Sequence, residues 1–545
     1  MIKRIKWLIF PLLFIVSIAA VKLKDGDRLF EISKNIEIFV NAFRELNKHY
    51  VDELDPATVM RTGIDAIVGS LDPFTNFISE SQVESYRISD DAKYQGIGVK
   101  IFDRDGAVFL EEVYQGGPAY EKGLRPGDQI LSINGVSLLN KTTEEINNIL
   151  RGVAGTNLTL VYIPLGSTNS VELRLERGEI NIPNVPYSGW VEDGIAYVSL
   201  TTFTADASAN IAKALREMKN ENPNLKGIIL DLRDNGGGLL REAVAISNLF
   251  VKQGEEVVTT KGKDKSKDQS FKTMTTPLDL ETPLAVLINK RSASASEIVS
   301  GVIQDLDRGV LIGQRSYGKG LVQNYFEIGY NNRLKVTISK YYIPSGRCIQ
   351  GVEYANGEPV DIPDSKRSVF KTRNGRPVLD GGGVTPDVRI DEPELSPLTK
   401  ALLEKKIIFD YVNNYILKND SIKNVKDVKF TQYEDFIAFT KQKNFSFQLD
   451  GEKELETFKE QLATKTSSQQ EVTAIEKKIQ DLKSQYFLKY KDEITLEIEK
   501  ELVLRYLFQK GLTQYRLDKD PEIKEAISIL KDEDRYRKIL GIKTL

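Results

Sequence analysis

The chain has 545 residues, with 75 Lys and Arg against 78 Asp and Glu, giving a formal net charge of −3. That length exceeds one core and predicts about three or four domains, while the near-neutral balance and absence of a long basic run argue against nucleic acid as a partner. A single cysteine, Cys348, and a single histidine, His49, exclude an intrachain disulfide, a cysteine-based metal cluster and a two-histidine metal site, so no metal or cofactor is expected.

In chain order, the first segment is "MIKRIK", whose Lys3, Arg4 and Lys6 precede an apolar stretch from Trp7 to Val21. Small residues at Ser17 and Ala19 have the spacing that signal peptidases accept. A membrane span needs about 20 apolar residues, so residues 1–21 read as a cleaved signal, with an anchor as the alternative. In either case the body is exported, to the periplasm or cell envelope, with inner-membrane anchoring as the second form. Residues 22–90 are expected to be helical, broken by a turn at "LDPFTNF". His49 falls in the polar stretch "ELNKHYVDEL" and reads as a surface histidine. A serine hydrolase built on this chain must therefore find a different base.

Residues 91–178 change character to short β-branched segments divided by glycine turns. Two strands flank Asp105-Gly106, and "GGPAYEKGLRPGDQILSINGVSL" supplies a short helix, a turn, a strand and a second turn at Asn134-Gly135. "GIGV" at Gly96–Val99, "GGPAYEKGLRPGD" and "ILSINGV" resemble a PDZ domain. A strand edge behind a glycine turn offers backbone N–H groups to a carboxylate, and an extended peptide adds there as a further strand. Gly96, Ile97, Gly98 and Val99 are the expected binding site for a peptide C-terminus; an ordinary hairpin without a ligand is the plain alternative.

Residues 179–390 interleave strand-like and helix-like segments, an α/β layer architecture. "IILDLRDNGGGLL" is a buried strand that enters a triple-glycine turn and then a helix, a place that presents N–H groups to negative charge. "LAVLINKRSASASEIVSG" repeats the strand–turn–helix plan, and Ser294-x-x-Glu297 matches a capping box. "GQRSYGKGLVQNYF" puts Lys319 between Gly318 and Gly320. A lysine acts as a base only when neutral, and burial disfavours its charged form. A desolvated Lys319 beside Ser294 would take the hydroxyl proton, the Ser-Lys variant of nucleophilic catalysis. Taken singly, Ser294 reads as a helix cap and Lys319 as a loop lysine.

The order of these motifs, from "HYVDE" and "LDPFTNF" through the PDZ-like segment, "DLRDNGGG", "SASASEI" and "GKGLVQ" to "GGGVTPD" at Gly381–Asp387, resembles the carboxyl-terminal processing (tail-specific) serine peptidases. The resemblance implies Ser294 as nucleophile, Lys319 as general base and Gln323 as the residue that orients the lysine. It places the oxyanion donors on the backbone of Ala295 and of a glycine in the triple-glycine turn, taken as Gly238. Ser292 and Ser296 are then structural. Arg291 stands where many members have glycine and touches no assigned role.

Residues 391–545 form a helical extension rich in Lys and Glu whose apolar stripes require a partner, either the protease body or a second copy. The expected whole is a multidomain α+β protein: N-terminal helices, a small PDZ β-sandwich or barrel, an α/β protease core and C-terminal helices. The expected function is an exported serine endopeptidase acting near the free C-termini of proteins and peptides. A catalytically idle PDZ adaptor and a non-peptidase esterase are the competing readings.

Overall fold

The protein is described by a computed structural model covering residues 28–80, 82, 93–355, 358–361, 363–391, 394–419, 422–449, 451–462 and 469–542. The expected export signal at 1–21 lies outside the described residues. Among those described, no helix is long and apolar enough to cross a membrane. Two units divide the described residues: 28–78, 325–336, 354–355 and 358–359 form the first, and the other described residues form the second.

The first unit carries a helix over residues 28–49 and a second helix, Pro56–Gly69. Asp55 starts the latter, its side chain accepting from the Ala57 and Thr58 N–H groups, with Pro56 at the first helical position. The strand Asn76–Ile78 pairs antiparallel with residues 333–335. His49 is exposed beside Glu45 at 3.2 Å, the surface histidine expected.

Within the second unit, the PDZ domain is an antiparallel sheet in the order Val99–Arg104, Ala107–Val113, Gln129–Ile133, Asn157–Ile163, Val171–Glu176. Asp105-Gly106 and Asn134-Gly135 turn it with positive φ at all four positions (54° and 77°, 51° and 78°), the geometry that two-residue hairpins favour. The helix Thr143–Leu150 opens on a capping box of Thr142 and Glu145 and lays Ile146 and Leu150 onto the sheet core. A ribbon of Lys93–Gly96 with Gly178–Asn181 brings the two ends of the domain together.

The α/β core holds strands β1 (Tyr187–Glu192), β2 (Ile195–Ser199), β3 (Gly227–Asp231), β4 (Leu284–Ile288) and β5 (Val310–Gly313), then the feet of the hairpin β6 (Leu321–Gly329) and β7 (Asn332–Tyr342), whose residues 325–336 belong to the first unit, then β8 (Val388–Arg389). The central sheet runs β1-β2-β3-β4-β5-β8, parallel except for β1 against β2. Helices α1 (Ala207–Glu221), α2 (Leu240–Phe250) and α3 (Ala295–Asp305) cover one face. The opposite face is covered by α4 (Pro521–Lys531) and α5 (Glu533–Ile539), contributed by the far end of the chain. Along β4, Leu284, Val286 and Ile288 pack toward the first set while Ala285 and Leu287 pack toward the second. Burial on both faces explains why "GIILD" and "LAVLI" are unbroken apolar runs.

The extension expected over 391–545 thus serves two purposes. Its last helices complete the core. The helices Pro397–Glu404, Ile407–Ile416, Tyr433–Gln442 and Lys491–Leu517 instead gather around Leu398, Tyr411, Phe436, Ile494 and Ile498 and lean on the PDZ domain. Arg104 pairs with Asp410 at 2.9 Å, Lys406 with Glu111 at 2.6 Å, and the Phe102 and Phe409 rings meet edge-on. The apolar stripes of this extension therefore find partners on the protein's own body.

Candidate active site

Three strand ends converge on the site. β4 ends at Ile288 and the chain runs through residues 289–293 into Ser294, the cap of α3. Ser294 has φ 56° and ψ −113°, a backbone conformation that strains any side-chain-bearing residue. Such strain is characteristic of a sharp strand-to-helix turn that thrusts a side chain out of the sheet end. The two flanking serines are fully buried and their hydroxyls donate to backbone carbonyls, Ser292 to Leu232 at 2.8 Å and Ser296 to Asn235 at 2.9 Å. Both act as bolts between the serine loop and the neighbouring turn, the structural part expected of them. Ser294 alone of the three is half-buried.

β3 ends at Asp231 and leads into the triple-glycine turn. Asn235 is completely buried and organises that turn: its amide donates to the Leu200 carbonyl at 2.7 Å, its side-chain oxygen accepts the Gly237 N–H at 2.9 Å, and its carbonyl accepts the Ala293 N–H at 3.0 Å. Gly237 (φ 99°) lies so close to the serine loop that a Cβ there would meet the Ser294 Cβ at 2.8 Å and the Ala295 nitrogen at 2.9 Å. Gly238 (φ 144°) bridges Phe203, with the Leu239 N–H donating to the Phe203 carbonyl at 2.7 Å. Among the described residues, neither the Ala295 N–H nor the Gly238 N–H donates to a protein acceptor.

The third piece is the loop after β5. The Gly318 carbonyl accepts the Gly351 N–H at 2.7 Å, and the Gly320 N–H donates to the Gln350 side-chain oxygen at 2.7 Å, so the two glycines pin Lys319 between them. Two buried side chains then join this loop to Ser294. Glu297, entirely buried, accepts the Ser294 N–H at 2.8 Å and the Lys319 N–H at 2.9 Å, as well as the Gly318 N–H at 2.6 Å and the Ser316 hydroxyl at 2.5 Å. Burial pushes its carboxyl above the usual range, while Ser316 and the three N–H donors pull the other way. Tyr341 places its hydroxyl within hydrogen-bond distance of the Ser294 carbonyl (3.1 Å) and the Lys319 carbonyl, and burial drives its own pKa upward. Nucleophile and base candidates are thus held by their backbones through a shared acid and a shared phenol. Gln323, on β6, donates its amide to the Thr337 hydroxyl of β7 at 3.2 Å.

Beside the expected binding strand of the PDZ domain lies a cavity of about 510 Å³ lined by Ile97, Gly98 and Val99 and by Asn147 and Leu150 of the helix Thr143–Leu150. Gly98 has φ 79° and passes the Ile180 side chain closely. Gly96 pairs with Gly178 in the entry ribbon and is not among the residues lining that cavity. The third wall comes from the protease core, where Thr202 and Thr204 flank the Phe203 that bridges Gly238.

The profile of peptidase family S41 matches residues 194–356. A PDZ-domain profile matches residues 109–163, and one described as "Probable PDZ-protease, C-terminal helical domain" matches residues 398–530. The carboxy-terminal-processing protease of Bartonella bacilliformis is 33% identical over 321 residues, which cover 58% of this chain and 73% of that protein. This chain belongs to peptidase family S41. It is a serine peptidase of that family with a PDZ domain and a C-terminal helical domain. The probable CtpA-like serine protease of Staphylococcus aureus strain N315 is 30% identical over 332 residues, 60% of this chain and 65% of that protein. Among solved structures, a photosystem II D1 C-terminal processing protease aligns at 24% identity over 65% of this chain and 92% of that one, with a TM-score of 0.37.

Ser294, Lys319, Gln323, Ala295 and Gly238 all fall inside the S41 match. In the sequence Glu297 reads only as a cap and Asn235 only as the first residue of the glycine turn, and Tyr341 carries no reading. The signal available for Glu297 was an acid in an otherwise apolar helix, "ASEIVSGVI". Tyr341, in "SKYYIP", carried none.

Proposed function

We propose that this peptidase is an exported endopeptidase that uses Ser294 and Lys319 as a nucleophile–base pair and reads free C-termini through its PDZ groove. The observation that carries this reading is the joint tether of Ser294 and Lys319 by Glu297 and Tyr341. A chain with no use for the pair has no reason to bury an acid and a phenol to hold their backbones. Ser294 Oγ attacks the scissile carbonyl as its proton passes to neutral Lys319. The tetrahedral oxyanion is received by the Ala295 and Gly238 N–H groups, and Lys319 then returns the proton to the departing amine. Water releases the acyl group by the same route in reverse, and Gln323 orients the lysine.

The substrate's carboxylate meets the Ile97–Val99 backbone, with its terminal side chain in the apolar part of the groove. In the first unit, Leu29, Ile32, Ile36, Phe39 and Leu46 recur at helical spacing and are exposed, a stripe suited to a second copy. The test compares one peptide ending in a free, an amidated or an aspartate terminus. Charge-assisted hydrogen bonds are worth about 1.5–3 kcal/mol, so amidation should weaken binding roughly tenfold to more than a hundredfold. Lys319→Arg, which keeps the charge but cannot give up its proton, should abolish turnover in a folded protein, whereas His49→Ala should leave it intact. Wild-type turnover in Lys319→Arg would overturn the Ser-Lys mechanism. Equal rates on the three peptides would overturn tail recognition alone.

A further inference from the structure

Behind the triple-glycine turn lies a charged cluster that the chemistry above does not use. Arg233, two residues past Asp231 at the end of β3, has a side chain only 18% exposed. Its Nη2 donates to Asp231 at 2.6 Å and its Nε to both oxygens of the same carboxylate, at 3.0 and 3.1 Å. Tyr197 on β2 donates its hydroxyl to Asp231 at 2.7 Å, fixing that acid from the other side. The remaining arm, Nη1, reaches Asp520 at 2.6 Å and also Glu522, residues that lie 287 and 289 positions further along the chain. Asp520 is itself rigid, because it caps α4 by accepting the Glu522 and Ile523 N–H groups at 2.8 and 3.2 Å.

Arg233 stands at the threshold of the site. Asp234 follows it with φ 60°, its N–H donating to Asn289 at 3.0 Å, and Asn235 then holds Gly237 and the serine loop. A guanidinium is planar and rigid, so clamping both ends fixes where the next residues begin. We propose that Asp520 and Glu522 are positioning residues for catalysis: through Arg233 they set the triple-glycine turn, and with it the Gly238 N–H and the anchor of Ser294.

This proposal rests on the oxyanion reading given above. Three carboxylates surround one guanidinium, which exceeds what local structure requires. Burial, reinforced by the neighbouring acids and opposed by Arg233, lifts the Glu522 carboxyl to about 7. A surface helix docked only by its apolar face would have no cause to carry such a group inward. The apolar docking is already supplied by Ile523, Ala526 and Ile529, which pack on the sheet, so the two acids are not needed for it.

The experiment uses the full chain with Glu522→Gln, Asp520→Asn and the double change, alongside wild type and Ser294→Ala. Four quantities are read: kcat, KM, the affinity of the PDZ groove for a labelled tail peptide, and the rate at which a small fluorophosphonate labels the protein. Misplacing a reacting group by about an ångström costs about a hundredfold. The double variant should therefore lose about tenfold to a hundredfold in kcat and in labelling rate, with KM and peptide affinity unchanged. If it melts below assay temperature, Glu522→Gln, which retains a hydrogen-bonding side chain, should show the same split in weaker form. Wild-type kcat in the folded variants would overturn the proposal, as would a loss spread evenly over kcat, KM and peptide affinity. A Ser294→Ala protein that still turns over and still labels would instead strike the Ser-Lys reading itself.

Discussion

Glu297 shows how one side chain can hold a site without entering its chemistry. Its two oxygens receive four donors, three of them backbone N–H groups. Glu297→Gln replaces one oxygen with an NH₂, and whichever way the amide turns, at least one fixed N–H then faces another donor. An unsatisfied buried donor costs about 1–3 kcal/mol and a lost charge-assisted bond about as much again. Glu297→Gln should therefore lower stability by about 2–6 kcal/mol in urea melts and reduce kcat by about a hundredfold; near-normal values for both would remove Glu297 from its tethering role. At this scale the tight setting of Lys319 is legible, since the two glycines beside it are the groups that pin its backbone. The roles of Asn235 and Tyr341 are not legible because their partners come from distant segments, Leu200 and Ala293 for the first, Ser294 and Lys319 for the second, and spacing along the chain carries no trace of those.

The same limit is plain in the triple-glycine turn. "NGGG" offers backbone N–H groups to negative charge, yet three identical letters do not say which glycine presses on the serine loop. In the fold the three differ. A Cβ on Gly236 would meet nothing within 4 Å, whereas one on Gly237 would strike the Ala293 carbonyl at 2.7 Å and the Ser294 Cβ at 2.8 Å. Gly237 also requires a positive φ that alanine adopts only at a cost of about 1–2 kcal/mol. Gly236→Ala should thus keep activity within a few-fold of wild type, while Gly237→Ala, measured beside it on one peptide, should be inactive though folded. Comparable activity in the two would mean that the turn does not press on the serine loop. The helices around these turns were easy to read: apolar residues every three or four positions marked α2 and α3, and both-face burial marked β3 and β4 as continuous apolar runs. Both patterns arise from local period and burial, which sequence records directly.

At the scale of the molecule, the least legible feature was the division of labour in the C-terminal helices. Their stripes said that each needed a partner but could not choose between the PDZ domain and the core, since Leu, Ile and Tyr suit either surface. Ile523, Ala526, Ile529, Leu530, Tyr536 and Leu540 turn out to cover one whole face of the central sheet, against Tyr197, Ile229, Leu287 and Ile312. Ending the chain after residue 518 should expose that face, and an apolar patch of such size drives aggregation. The shortened protein should therefore be recovered in the insoluble fraction; a soluble product with full activity would show the helices to be dispensable. The arrangement also sets a clock on the birth of the enzyme. Synthesis delivers Ser294, Lys319 and the glycine turn more than 190 residues before it delivers Asp520, so a chain stopped between them carries the proposed nucleophile and base without the wall behind them. If the helices after residue 518 are required for turnover, a chain that stops short of them should cleave none of its neighbours.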